Sequence, residues 1–125
     1  MHYDVFNGDA DGIIALVQLR LDEPKQSQLV TGVKRDIQLL KKVDIERAES
    51  ITVLDISMEK NQAQLTTLLE KNIPVFYADH HRAGDIPQSP FLDAHIDLDA
   101  NTCTSLIVNN LLNNKYVLWA IAAAY

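Results

Sequence analysis

Three apolar runs in this sequence each end in acidic or histidine side chains, a pattern that few folds accommodate. The runs cover residues 3–6, 51–54 and 75–77, and the polar residues that follow them are Asn7, Asp9, Asp11, Asp55, Asp79, His80 and His81. Short apolar runs bounded by glycine or proline are typical of buried strands. Parallel strands end at one edge of a sheet, where open α/β folds place their sites. The pattern therefore predicts a sheet with a cation site at that edge.

Helical segments separate the predicted strands along the chain. The predicted strands cover residues 3–6, 28–33, 51–54, 75–77 and 94–97, and the predicted helices cover residues 13–21, 36–43, 60–71, 101–112 and 116–125. Strands that alternate with helices and short loops are typical of a parallel sheet covered on both faces, with right-handed crossovers. We therefore expect an α/β protein with three layers, α/β/α, around a mainly parallel five-stranded sheet.

The apolar positions of the helices predict which faces are buried. The first helix is apolar nearly all round, so we expect it to pack on more than one side. Leu65, Leu68 and Leu69 keep helical spacing in the third helix, and Asn72 suits its C-terminal end. The other predicted inner-face residues are Ile37, Leu39 and Leu40 in the second helix, Cys103, Ile107 and Leu111 in the fourth, and Val117, Ile121 and Tyr125 in the last.

Length and composition limit the functions open to the chain. With 125 residues, 47% of them apolar, we expect a single domain over residues 1–125. Cys103 is the one cysteine, so no internal disulfide is possible, and without a recognisable signal peptide a cytoplasmic location is expected. No apolar run approaches the about 20 residues that span a bilayer. The balance of 11 Lys and Arg against 17 Asp and Glu argues against a general basic surface for nucleic acid.

The first acidic group is the turn Asn7-Gly8-Asp9-Ala10-Asp11-Gly12. Side chains at alternate positions of a tight turn can converge on one cation, and we expect the two glycines to supply the backbone angles of that turn. The alternative is a plain turn followed by a helix N-cap, which aspartates between a strand and a helix often form. An EF-hand does not fit, because no bidentate acid follows at the spacing of its loop.

The triplet Asp79-His80-His81 is the more specific signal. Adjacent histidines in a turn can point to opposite sides, so that one coordinates a metal and the other faces a substrate oxyanion. A carboxylate such as Asp79 can fix the tautomer of a histidine. The alternative is a pair of surface histidines beside an N-capping aspartate.

Other candidates are less specific when taken singly. Asp55 follows a predicted strand and could equally be a solvated loop residue or a helix cap that shares this task with Ser57. His2 and His95 are expected to be structural or exposed, because neither follows a strand together with other ligands. Cys103 is expected to be a small apolar filler on a helix face.

The acidic groups become informative when they are taken together. If Asp9, Asp11, Asp55 and Asp79 share one pocket, each pair of like charges about 4 Å apart costs about 4 kcal/mol at an effective dielectric constant of about 20. Protons or divalent cations must relieve that repulsion. Oxygen-rich ligands with an imidazole favour Mn²⁺ or Mg²⁺ over a thiolate-type zinc site.

The ordered motifs resemble those of the DHH phosphoesterase superfamily. They are Asn7-Gly8-Asp9-Ala10-Asp11-Gly12, Leu54-Asp55, Asp79-His80-His81 and the helix start Thr102-Cys103-Thr104-Ser105, and they span nearly the whole chain. The superfamily includes RecJ-type exonucleases, oligoribonucleases, cyclic-dinucleotide phosphodiesterases, family II pyrophosphatases and exopolyphosphatases. The resemblance implies the N-terminal DHH domain, a sheet in strand order 2-1-3-4-5, and a metal-dependent hydrolase.

The resemblance also implies a metal ligand set. Asp9 and Asp55 would hold one Mn²⁺, with Asn7 as a weak further ligand. Asp55 would bridge to a second Mn²⁺ held by Asp11 and His80, and Mg²⁺ is the possible substitute. Superfamily members usually carry histidine where this chain has Asn7, so looser occupancy of the first ion is expected.

Catalytic roles follow from the same resemblance. His81 would contact the scissile phosphate while water between the two ions attacks, and Asp79 would orient the histidines. Arg82, next to the triplet, is a further candidate for substrate binding.

The end of the sequence departs from the superfamily pattern. A fourth motif, an aspartate shortly after the last helix, and a substrate-binding domain are expected there and are not in this sequence, so the chain is expected to be a metal-binding lobe with little activity of its own. The expected partner is a phosphorylated small molecule, a nucleotide or a short oligonucleotide, and a homodimer is possible. The alternative is a weakly active or inactive domain that binds a nucleotide or a protein.

Overall fold

The computed structural model describes residues 1–33 and 37–124. Its strands are β1 (His2–Asn7), β2 (Ser27–Gly32), β3 (Ser50–Leu54), β4 (Val75–Asp79) and β5 (Leu92–Ile96), and its helices are α1 (Ala10–Asp22), α2 (Gln62–Glu70), α3 (Thr104–Leu111) and α4 (Val117–Ala124). Short 3₁₀ turns cover Leu39–Lys42 and Glu59–Asn61. All neighbouring strands pair in parallel, in the order β2-β1-β3-β4-β5, so the predicted sheet and its strand order are confirmed.

Alternate residues of the strands form two cores on opposite faces of the sheet. On one face, Val53 and Tyr77 pack with Leu65 and Leu68 of α2 in the larger core. On the other face, Phe6, together with Leu54 and Ala78, packs against α1 and α3. The helices thus cover both faces, and the three-layer α/β/α architecture is confirmed.

Helix α1 starts three residues earlier than predicted, at Ala10, because Asp9 acts as its N-cap and accepts a hydrogen bond from the Gly12 N–H at 3.1 Å. The helix packs against the sheet and also against α3 and α4. The Gln18 side-chain amide donates to the Ser105 carbonyl oxygen at 3.1 Å, which ties α1 to the start of α3. Packing on more than one side, predicted from its apolar sequence, is therefore observed.

The glycines of the first turn are needed for a different reason than expected. Neither Gly8 nor Gly12 has a positive φ, so the prediction that they supply unusual backbone angles is wrong. A Cβ atom on Gly12 would lie 2.1 Å from the Asn7 carbonyl oxygen, and one on Gly8 would lie 2.7 Å from the Gly32 carbonyl oxygen. These positions need glycine because backbone segments approach too closely for any side chain.

The segment predicted as the helix at 36–43 is a single 3₁₀ turn, although its first residue, Asp36, lies outside the described residues. Leu39 and Leu40 are buried as expected, but Ile37 is 45% exposed. The cause is the buried Asn61 side chain, which donates to the Ile37 carbonyl oxygen at 2.8 Å and accepts from the Leu40 N–H at 3.3 Å. These bonds hold the segment in an irregular path.

The inner face predicted for the last helix is wrong. In α4, Ala120 is the fully buried residue, whereas Val117 and Ile121 are 38% and 44% exposed. Tyr125 lies outside the described residues. An almost wholly apolar helix offers no periodic pattern, so its sequence cannot indicate which side faces the protein.

Other local predictions have mixed outcomes. In α3 Ile107 is buried, but Leu111 is 39% exposed, so the predicted inner face of that helix holds only in part. Asn72, Asn113 and Asn114 have positive φ values of 58°, 55° and 63°, which fits their predicted positions after helices. In the described ranges no helix is both long and apolar enough to cross a bilayer.

A buried ion pair lies toward the amino ends of the strands. Asp4 of β1 is fully buried, and Arg20 of α1 donates to both of its oxygens, at 2.6 and 2.9 Å. Ser27 donates to the same carboxylate at 2.7 Å, and a His2 nitrogen lies 3.0 Å from it. Burial favours a higher pKa for Asp4, but the hydrogen bonds from Arg20, His2 and Ser27 hold its pKa well below the usual range.

We expect Arg20→Met to lower the free energy of unfolding by about 3 kcal/mol or more, because it leaves the Asp4 carboxylate buried without its cationic partner. Urea unfolding at pH 7 measures the change. The matched control is Lys115→Met, since the Lys115 side chain is 60% exposed in its ion pair with Asp22. Solvent screens such a pair, so a much smaller loss is expected. Equal losses in the two variants would contradict the structural role assigned to Asp4.

Candidate metal centre

A cleft of about 300 Å³ opens at the carboxyl ends of the central strands. Its lining residues come from four separate parts of the sequence and are Asn7, Asp9, Asp11, Ile37, Leu39, Asp55, Ile56, Ser57, His80 and His81. Parallel pairing of β1, β3 and β4 brings these ends together, as the sequence pattern predicts. The predicted metal-ligand candidates thus share one cleft.

Asp55 is at the centre of this group. Asp55 follows the last residue of β3, and its N–H donates to the Ala78 carbonyl oxygen at 3.0 Å. Its backbone is in the left-handed region, with φ 62°. The side chain is only 2% exposed, and one carboxylate oxygen lies 3.0 Å from His80 Nε2. A left-handed conformation costs about 1–2 kcal/mol for most residues but less for aspartate and asparagine. This turn fixes the direction in which the Asp55 carboxylate leaves the strand.

His80 lies between two carboxylates. Its Nε2 atom is 3.0 Å from Asp55 Oδ1 and 3.5 Å from Asp11 Oδ2. Neighbouring ligands of a hard divalent cation in octahedral geometry, at about 2.1 Å from the ion, lie about 3 Å apart. Each carboxylate therefore lies at about the distance from His80 that separates neighbouring ligands of one ion.

The pKa of Asp55 reflects its burial and the negative charge around it. Burial and, after it, the charges of Asp11 and Asp9 raise the pKa of Asp55 to about 6, against a hydrogen bond from His80 that lowers it. The Asp55 carboxylate is therefore close enough to the carboxylates of Asp9 and Asp11 to interact with both.

Asp11 is held differently, by the start of α3. Its two oxygens accept hydrogen bonds from the Ser105 N–H at 2.8 Å and the Thr104 N–H at 3.1 Å. Burial favours a higher pKa for Asp11, but these hydrogen bonds lower it below the ordinary value, so the group stays ionised. The pKa of His80 is raised, chiefly by its hydrogen bond to Asp55.

Asp79 and His81 form a second unit beside the first. Asp79 is fully buried, and one of its oxygens lies 2.6 Å from His81 Nδ1. This contact raises the pKa of His81. One ligand atom from each of Asp55, Asp79, His80 and His81 lies within 4.8 Å of the others. This cluster thus includes the two residues predicted for orientation and phosphate contact, beside two of the predicted metal ligands.

Two buried oxygens support the fit to cations. Asn7 Oδ1 and Asp79 Oδ2 are buried and have no hydrogen-bond partner among the described residues. Buried polar atoms in proteins nearly always have a partner, so each of these is an oxygen free to bind a ligand. Asp9 serves as the N-cap of α1, which was the alternative interpretation, yet it also lines the cleft. Carboxylate, amide and imidazole donors together suit Mn²⁺ or Mg²⁺.

Several other residues lie outside the cleft. The Arg82 side chain is 87% exposed and lies 3.7 Å from Glu59, so its predicted contact with substrate stays a prediction. His2 belongs to the Asp4 network, and His95 lies 2.8 Å from Asp93 on β5.

Cys103 is not the apolar filler that was expected. It occupies the N-cap position of α3, with its thiol beside Asp11. Burial raises the pKa of this thiol, and the nearby negative charge of Asp11 acts in the same direction. A thiol that keeps its proton is a poor nucleophile.

Sequence reasoning missed the apolar wall of the cleft. Ile56 and Ser57 follow Asp55 directly, and Ile37 reaches the cleft because Asn61 donates to both the Ile37 and Ser57 carbonyl oxygens at 2.8 Å. For Ile56 and Ser57, the available signal in the sequence was their position directly after Asp55. Nothing in the local sequence signals the third.

The chain was compared with known proteins. No family model and no curated protein matches the sequence. Among solved structures, the chain is similar to exonuclease RecJ bound to manganese, with a TM-score of 0.61 and 16% identity, covering 98% of this chain and 36% of that chain. It is also similar to RecJ from Thermus thermophilus in complex with Mn²⁺, with a TM-score of 0.60 and 19% identity, covering 98% of this chain and 20% of that chain. The fold expected from the DHH resemblance is confirmed.

We expect Mn²⁺ to bind about tenfold or more weakly at pH 5.5 than at pH 8, because a cation must displace the protons that Asp55 and His80 hold at low pH. The sign follows from both pKa values being raised, that of Asp55 to about 6. Titration calorimetry in buffers of different ionisation enthalpy measures the affinity and the protons released. An affinity that stays constant between these pH values would contradict the proposed ligands.

Proposed function

We propose that this chain is the metal-binding lobe of a Mn²⁺-dependent phosphoesterase, a hydrolase of phosphoester or phosphoanhydride bonds. The observation that carries the proposal is the position of Asp55, buried between Asp9, Asp11 and His80 in one cleft. Crowded carboxylates of this kind are stable when divalent cations neutralise them. The fold shared with manganese-bound RecJ supports the same assignment.

The ligands divide into two sets around Asp55. Asp9 and Asp55, with the Asn7 amide oxygen, would hold one ion, and Asp11, Asp55 and His80 would hold the other. A pair of such ions supplies an activated water and neutralises the charge of a phosphoryl group. The protein contributes the fixed directions of these side chains, since Asp11 is held by α3 and Asp55 by its left-handed turn.

His81 is proposed to contact the substrate. Its side chain is 41% exposed at the cleft, and Asp79 engages its Nδ1 atom, so the Nε2 atom is the nitrogen left for a ligand. The raised pKa favours the charged imidazolium, which donates a hydrogen bond to a phosphoryl oxygen and stabilises developing negative charge. Asp79 in turn fixes the orientation of the ring.

The acidic balance of the chain favours small substrates. A formal charge of −6 repels a long polyanion, so a nucleotide, a short oligonucleotide or another small phosphorylated molecule is proposed. The chain spans 36% and 20% of the two RecJ chains. We assign the choice among these substrates to residues outside the region that this chain shares with RecJ. A cytoplasmic location and a possible homodimer are further parts of this proposal.

A second candidate function is a weakly active or inactive domain that binds a nucleotide or a protein partner. The observation that favours it is Asn7, whose amide oxygen is a weaker ligand than imidazole at the same place in the cleft. If the first ion is bound only loosely, the domain would bind its partner without hydrolysing a substrate.

An activity assay separates the two functions. We expect Mn²⁺-dependent hydrolysis of bis-p-nitrophenyl phosphate, a short oligonucleotide or pyrophosphate by the chain in its full natural reading frame, and little by residues 1–125 alone. Asp55→Asn should lower the rate by about 100-fold or more, because it removes the shared charge while asparagine tolerates the positive φ. Asp93→Asn, on β5 outside the cleft, is the control. Absence of metal-dependent turnover on all three substrates would favour the binding domain.

We expect Asn7→His to tighten Mn²⁺ binding by about tenfold, because an imidazole nitrogen replaces an amide oxygen at the first ion. Calorimetry on the wild type and the variant measures the two binding constants. Asn7→Ala is the companion variant and should weaken the same step. If neither substitution changes the affinity, Asn7 is not a ligand.

A further inference from the structure

The start of α3 has backbone donors that its own sequence does not satisfy. The first N–H groups of any helix lack partners within the helix. Cys103 occupies the N-cap position, but its side chain makes no capping hydrogen bond. The partner is instead Asp11 of α1, with one oxygen on the Thr104 N–H and the other on the Ser105 N–H.

These bonds fix Asp11 from two sides. Because each carboxylate oxygen is engaged by a different N–H group, the plane of the carboxylate cannot rotate freely. The Ser105 hydroxyl also donates to the Asp11 backbone oxygen at 2.8 Å, which fixes the main chain at the same residue. Each carboxylate oxygen of Asp11 keeps a further lone pair, which can bind another ligand such as a cation in the cleft.

Thr104 also contacts the central carboxylate. Its hydroxyl donates to Asp55 Oδ1 at 3.1 Å, the oxygen that lies 3.0 Å from His80. Thr104 and Ser105 are both fully buried, so water cannot replace their hydrogen bonds. A single turn of α3 therefore contacts both carboxylates that flank His80.

We propose that Thr104 and Ser105 are positioning residues that set the spacing and orientation of Asp11 and Asp55 for cation binding, an inference that rests on the proposed function. Outer partners of metal ligands orient them before the ion arrives, and their loss typically weakens metal binding by about 10-fold to 100-fold. Thr104 acts on Asp55 through its hydroxyl, while the contacts to Asp11 come from backbone N–H groups and the Ser105 hydroxyl. Substitution of Thr104 can therefore release Asp55 alone.

The test compares Thr104→Val with Thr104→Ser. Valine keeps the shape and the N–H bond to Asp11 but lacks the hydroxyl that holds Asp55, whereas serine keeps the hydroxyl. We expect Thr104→Val to weaken Mn²⁺ binding by about tenfold or more and Thr104→Ser to stay within about threefold of the wild type. Calorimetry with Mn²⁺ alone measures affinity without any assay of turnover.

The matched control is Thr67→Val in α2, which removes a hydroxyl bond to the Ala63 carbonyl oxygen away from the cleft. It should leave Mn²⁺ affinity unchanged. The melting temperature of each variant in EDTA separates loss of folding from loss of affinity. Should Thr104→Val not fold, Thr104→Ala replaces it with the same expected loss, since alanine also lacks the hydroxyl and introduces no new group.

The outcomes are distinguishable. A wild-type chain that binds Mn²⁺ and a folded Thr104→Val variant that binds it equally well would overturn the positioning role and leave the proposed function standing. A wild-type chain with no affinity for Mn²⁺ would overturn both. Weak binding by Thr104→Ser as well as Thr104→Val would also overturn the inference, because packing of the methyl group, not the hydroxyl, would then be the cause.

Discussion

The crowding of negative charge around Asp55 is the constraint on which the cleft depends. Asp55 is buried between two other carboxylates, and each such pair about 4 Å apart costs about 4 kcal/mol at an effective dielectric constant of about 20. The protein offsets part of this cost with polar groups, namely His80 beside Asp55 and the N-terminus of α3 beside Asp11. Burial, together with the remaining repulsion, raises the pKa of Asp55, and a proton or a cation can relieve both.

The two ends of the sheet show how differently a buried aspartate can be treated. Asp4 has Arg20, Ser27 and His2 around its carboxylate, and its pKa is held low. Asp55 is as well buried but has other carboxylates as neighbours, and its pKa is raised. The first arrangement satisfies a charge within the protein, so it has a structural role. The second leaves negative charge to be neutralised from outside, which is the property of a binding site.

Strand positions and the acidic and histidine residues of the cleft could be predicted from the sequence, because apolar runs that end in such residues are local patterns. The same holds for Leu65, Leu68 and Leu69, whose helical spacing is confirmed by their burial. The exposed side of α4, the closeness of the Gly12 and Asn7 backbones, and the cap of α3 could not be predicted. The side of α4 and the cap of α3 depend on which distant segments meet, and the residues of one segment do not encode that information. Gly12 and Asn7 are only five positions apart, and the path of the turn between them sets their closeness.

The link between Asp11 and α3 makes the cleft a product of the whole fold. Asp11 and Ser105 are 94 positions apart in the sequence, and Gln18 and Ser105 are 87 apart. Contacts of such separation close long loops, so they depend on the folding of the chain between Asp11 and Ser105. A cation bound between Asp11, Asp55 and His80 would bind the folded state in preference to the unfolded one. Binding at the cleft and the packing of α3 on α1 are therefore coupled, because the same carboxylate takes part in both.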